Sequence, residues 1–175
     1  VVPGIIMFHL LYQSNLENLD AQFIDEGVRP SIASNDYLFS WISYIGLLLI
    51  LGACYRLAKF NIDTRQSESF IGLPTPAMSL FVISLPLIQE YASAEWVQNL
   101  ITNNYFLILI TLLLTYLMNA EIPLFSLKFR EYSLKNNLVK YLFLFISLLL
   151  IVFLNFIAIP IIITFYVFLS VILEY

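Results

Sequence analysis

Residues 54–80 read CYRLAKFNIDTRQSESFIGLPTPAMSL and hold three of the chain's eight basic residues, Arg56, Lys59 and Arg65. Arg56 and Lys59 are three apart, so a helix would carry them on one face. Asn61 follows directly. Gly72, Leu73 and Pro74 then interrupt the start of the next apolar run, where a plain helix start would need neither Gly nor Pro. Paired cations beside a backbone bent in this way suit an anionic group at a membrane surface, such as a phosphate headgroup. Arg56, Lys59, Asn61, Gly72, Leu73 and Pro74 are therefore the candidate substrate-binding residues. A plainer account competes on equal terms: cations at a helix C-terminus complement its dipole and fix the orientation of a membrane protein.

Other side chains with chemical potential are more isolated. His9 has no second His or Cys near it in sequence and reads as an interhelical hydrogen-bonding group rather than a metal ligand. Asp25 and Glu26 stand in a polar stretch with no apolar enclosure to shift a carboxylate. Asp63 and Glu68 flank Arg65 and read as a charge-balanced surface. Cys54, the single cysteine, excludes an internal disulfide and reads as a small apolar helix residue. No metal-binding His pair, Gly-rich phosphate loop, Ser-His-Asp set or nucleic-acid surface is visible.

The elements that must carry these residues are membrane helices. The 175 residues are 61% hydrophobic and 11% charged, with a mean hydropathy of +0.88. The charges cluster, and the runs between them are long enough to cross a bilayer, which takes about 17 to 25 residues. We expect an all-α polytopic membrane protein. Residues 1–12 form the remainder of a transmembrane helix, too short to span alone. An outer loop is expected at 13–36, a span at 37–55 and a cytoplasmic loop at 56–69. A Pro-broken span follows at 70–90, an outer loop at 91–99, a span at 100–118 and a cytoplasmic loop at 119–140. The last run, 141–173, has no charge over 33 residues. Asn155 and Pro160 near its middle favour two short spans over one long kinked helix. Seven of the eight basic residues fall in the alternate loops 56–69 and 119–140, which the positive-inside rule assigns to the cytoplasm.

RLAKFN followed by FIGLPTPA resembles the R-L-A-R-F-N … F-x-G-L-P-x-P-A signature of bacterial membrane-integral phosphatidylserine synthases, within the CDP-alcohol phosphatidyltransferase family. VVPGIIMF at the start is similar to the segment following that family's catalytic motif. YLMNAEIPLFSLKF (116–129) is similar to its L-M-x-S-x-I-P-x-x-S-x-K stretch, with Asn119 and Ala120 where other members often have Val and Ser. The family's D-G-x-x-A-R … G-x-x-x-D-x-x-x-D motif, whose Asp residues bind two divalent metals and supply a general base, is not in the chain. The resemblance implies the C-terminal helices of a CDP-alcohol phosphatidyltransferase-like bundle, with the catalytic motif upstream of Val1. It implies that the complete protein moves a phosphatidyl group from CDP-diacylglycerol to L-serine, releasing CMP, with Mg or Mn liganded outside this chain. Alone, these residues are expected to be inactive. The implied setting is the bacterial inner membrane, among lipids and without nucleic acid, and a homodimer is admitted. A fragment of a polytopic transporter and a non-catalytic membrane partner are the competing classes; Pro-interrupted helices fit the former.

Overall fold

The structure is a computed structural model that describes residues 1–26, 41–62, 70–92, 94–124 and 137–174. The chain is an all-α membrane protein. Helix α1 spans Val2–Glu26. A 3-10 turn at Tyr44–Leu47 leads into α2, Leu48–Ile62. Helix α3 is Thr75–Tyr91, α4 is Glu95–Ile101 and α5 is Asn104–Asn119. The last two are α6, Leu138–Leu154, and α7, Ala158–Glu174. Strands β1, Phe70–Ile71, and β2, Pro123–Leu124, form one short antiparallel pair.

The core is a single stripe from each of the first long helices. Leu107, Thr111, Leu114 and Met118 repeat at helical spacing along α5 and are buried. They meet Met7, Leu10 and Leu11 of α1, Leu49 of α2, and Met78, Phe81, Val82 and Leu85 of α3. The opposite faces are equally apolar: Leu109, Leu112 and Tyr116 of α5 are exposed, as are Leu51 and Tyr55 of α2. A helix that is apolar all round, yet buried on one side only, is built for lipid. Among the described residues, two stretches, Trp41–Ile62 and Leu138–Leu173, are long and apolar enough to cross a membrane by length and composition, the second of them folded back on itself. Helices α4 and α5, bent by 66°, would make a third together. Asn103 sits at that bend and accepts from the Tyr105 and Phe106 amides at 2.9 and 3.3 Å, capping α5.

Helix α1 does not end at Tyr12, where the polar sequence suggested a loop. It continues to Glu26, and the first polar residues beyond Tyr12 find partners within the fold. The Ser14 hydroxyl donates to the Thr102 carbonyl, and the Asn104 amide donates to Asn15. Ser14 and Asn15 are thereby buried. Gln13 donates to Glu17 one turn on, at 3.0 Å. Helix α1 and the 3-10 turn before α2 approach closely at Gly46, where a Cβ would lie 2.5 Å from the Phe8 backbone nitrogen. Small residues allow such backbone contact in membranes.

The last apolar run folds back on itself. Phe143 of α6 stacks on Phe165 of α7 with ring centroids 5.9 Å apart, and it also meets Tyr166. Only an antiparallel hairpin brings those positions together. The reversal is at Asn155, which has φ 50° and ψ −123°. Pro160 is not the break. It lies in the first turn of α7, where a missing N–H costs nothing. Each arm has 17 residues, about 25 Å of helix.

Candidate functional site

The corner where α2 ends, α3 begins and α5 ends is built around the carbonyls at the C-terminal end of α5. An α-helix leaves its last four C=O groups without internal partners. The last turn of α5 finds them in other segments. The Arg56 Nη1 donates to the Met118 carbonyl at 2.6 Å, and the Leu73 amide donates to the Leu117 carbonyl at 2.9 Å. The Ala120 amide closes the turn on Tyr116 at 2.8 Å. A cation at this position also faces the negative end of the α5 dipole.

Gly72 makes the close approach workable. Its φ is +72°, a conformation that L side chains rarely adopt, and its amide donates to Ile122 at 2.8 Å. A Cβ there would lie 2.7 Å from the Met118 oxygen, 2.8 Å from the Ala120 oxygen and 3.0 Å from Arg56 Nη1. Phe70 and Ile71 then pair with Leu124 and Pro123, which ties the two strands together. Pro74, with φ −58° and ψ 137°, turns the chain into α3, and its carbonyl accepts from Met78 at 3.1 Å.

Lys59 lies about one turn beyond Arg56 on the same helix and pairs with Glu121 at 3.1 Å. The six sequence candidates divide accordingly. Arg56, Lys59 and Gly72 converge with the 118–121 turn. Leu73 is buried in the core, where its side chain packs while its amide caps α5. Pro74 shapes the entry to α3, and Asn61 is exposed beyond the corner. Sequence reasoning missed Glu121 and the Met118 and Ala120 carbonyls. The signal was present in the MNAEIP stretch, where an acidic residue stands three positions after the end of an apolar run and two before Pro123.

Arg56 is half-buried and has one N–H committed to Met118. A guanidinium carries five donors in a planar fork, so the rest of the fork remains available to an anion. The helix-end bond fixes where that fork sits. Among the described residues, no three His, Cys, Asp or Glu side chains come together. His9 is exposed and far from this corner. The side chains of Asp25, Glu26, Asp63 and Glu68, and the basic residues Arg29, Arg65, Lys128, Arg130 and Lys135, lie outside the described residues. Cys54 is a free, exposed thiol on α2.

The chain is similar to the CDP-diacylglycerol–serine O-phosphatidyltransferases of two strains of Helicobacter pylori, at 36% and 34% identity over 76 residues. The similarity covers 40% of this chain and 32% of each relative, so the chain spans about a third of their length. No family profile and no solved structure matches.

Proposed function

We propose that the chain is part of a membrane enzyme of phospholipid synthesis that transfers a phosphatidyl group from CDP-diacylglycerol to the hydroxyl of L-serine. In that reaction the serine oxygen bonds to the phosphatidyl phosphorus, and the bond from that phosphorus to CMP breaks. The serine proton goes to a base, and CMP leaves with the electron pair. Negative charge grows on the leaving group, so oriented cations lower the barrier most. The base, and the divalent metal that the resemblance implies, belong to residues other than these. The corner of α2, α3 and α5 supplies an anion-binding wall. Arg56 orients a phosphate or the serine carboxylate with the free part of its fork, and Lys59 adds a second charge nearby. In this reading the corner faces the cytoplasm, in an inner membrane. The complete protein works with a divalent metal, and a homodimer is compatible with it.

One observation carries the reading: a cation anchored by a single N–H to a helix end, in the corner where the two most distinctive family-like segments meet a third. The test is Arg56→Lys in the complete protein, assayed for CMP release with CDP-diacylglycerol, serine and Mg²⁺ or Mn²⁺. A contact of this type is worth about 1.5 to 3 kcal/mol, or roughly ten- to a hundredfold in kcat/KM. That loss is expected with expression and orientation unchanged. Unchanged efficiency for both substrates overturns the site and leaves Arg56 as a cap and topological anchor, since orientation depends on charge and not shape. Absence of any CMP release from the unaltered complete protein overturns the reaction itself.

A further inference from the structure

The other end of α3 carries an open, negatively charged cavity. It encloses about 450 Å³ between α1, α3 and α4. Six polar side chains line it, His9, Gln13, Gln89, Glu90, Gln98 and Thr102, with two apolar residues completing the wall. The cavity reaches Glu90, which lies 16 residues along the chain from Pro74, about 24 Å of helix from the Arg56 corner. It is therefore a separate place, on the opposite end of the bundle.

Its polar groups are not used up by the fold. The Gln13 amide donates to Glu17, Gln98 donates to the Ala92 carbonyl at 2.8 Å, and the Thr102 hydroxyl donates to the Gln98 carbonyl at 3.1 Å. His9, Gln89 and Glu90 have no hydrogen bond or ion pair among the described residues. Glu90 is the full charge on the wall, and no Lys or Arg lines it. A negative cavity rich in oxygen acceptors rejects phosphate and carboxylate. It suits a compact cation with several N–H donors.

We propose that this cavity binds a primary ammonium group, with Glu90 as counter-ion and the Gln89 amide oxygen and His9 as acceptors. The ammonium belongs either to a lipid headgroup or to a small water-soluble amine. The proposal rests on the cavity alone and does not depend on the transfer reaction.

The complete protein, in nanodiscs of equal parts phosphatidylethanolamine and phosphatidylcholine, is exchanged into detergent and its retained lipid is weighed by mass spectrometry. Phosphatidylcholine has the same phosphate and a cation without N–H donors, so it is the control. If the ligand is a lipid, phosphatidylethanolamine should be enriched at least fivefold, with the enrichment falling to unity in Glu90→Gln. If it is a soluble amine, neither lipid is enriched, and ethanolamine should protect the protein against thermal unfolding where tetramethylammonium does not. That protection too should vanish in Glu90→Gln. Glu90 is exposed, so the variant folds, and Glu90→Asp should recover part of either effect. The same lipid ratio and the same ethanolamine response in Glu90→Gln as in the unaltered protein, or no effect in either arm, overturns the proposal.

Discussion

The corner at Arg56 and the hairpin of α6 and α7 hold the chain together by different physics. At the corner, segments 62 residues apart are joined by short directional contacts, Arg56 to Met118 and Lys59 to Glu121. At the hairpin, aromatic faces join the arms, Phe143 on Phe165 and Tyr166, while Phe153 and Leu148 face outward. Hydrogen bonds depend on angle and distance, so the corner tolerates few substitutions. Lipid tails are as apolar as leucine, so the outer face of the hairpin specifies little beyond hydrophobicity. The corner can therefore encode recognition, and the hairpin encodes residence in the membrane.

The sharpest way to break this contrast is Gly72→Ala. The positive φ costs about 1 to 3 kcal/mol for an L side chain. The clash with two backbone oxygens at 2.7 and 2.8 Å adds a shift of β1 or of the 118–122 turn, about 1 to 3 kcal/mol more. A loss of at least about 3 kcal/mol is expected, read from SDS or thermal unfolding in detergent. Phe153→Leu on the hairpin, 76% exposed, should stay within about 0.5 kcal/mol of the unaltered protein. Equal effects from the two would show that the corner is no more specific than the lipid face.

Arg56→Ala should come next. It removes a charge-assisted bond to the carbonyl of buried Met118, which costs about 1.5 to 3 kcal/mol, towards the lower end because Arg56 itself is half-buried. Lys at this position keeps the charge near the helix end, so stability should recover in large part while the proposed activity does not. That split separates the capping role from the substrate role. Parallel recovery of both would leave only the cap.

Much of the fold class was legible because membrane helices announce themselves by composition. Long uncharged runs at 37–55 and 141–173 leave no other solution for the backbone polar groups. The course of α1 beyond Tyr12 was not legible. Gln13, Ser14 and Asn15 read as a loop when taken alone, and only Thr102 and Asn104, nearly ninety residues on, make them a buried helix. The same limit applied at the corner. Arg56 and Gly72 stand out in sequence by type, but the carbonyls they meet belong to a helix end, and a carbonyl has no letter in the sequence. Glu121 was visible but had no assigned partner until α2 and α5 were side by side.

At the hairpin, Asn155→Gly should stabilise. The φ of 50° and ψ of −123° place Asn155 where glycine is the favoured residue of a tight reversal, and the strain is about 1 to 3 kcal/mol. Glycine adds about 0.4 to 1 kcal/mol of unfolded-chain entropy, so the net gain is about 1 kcal/mol. The same unfolding measurement checks it. A loss would mean that the Asn155 side chain, not only the backbone, holds the turn.

The smallest effect belongs to Lys59 and Glu121, and it probes which contacts at the corner matter. Their side chains are 27% and 64% exposed, so water and salt screen the attraction, and pairs of this kind contribute about 0.2 to 1 kcal/mol. A double-mutant cycle with Lys59→Met and Glu121→Gln isolates the pair from the separate losses. The coupling should be about 0.5 kcal/mol at 0.05 M salt and should fall towards zero at 1 M, where the Debye length is about 3 Å. Function should respond in the opposite sense. Glu121 occupies Lys59, so on the proposed reaction Glu121→Gln releases a cation towards an anionic substrate and should lower KM in the complete protein, while Lys59→Met should raise it. A coupling above about 2 kcal/mol that persists in high salt would make the pair a structural clamp, and Lys59 would then have no charge to offer a substrate.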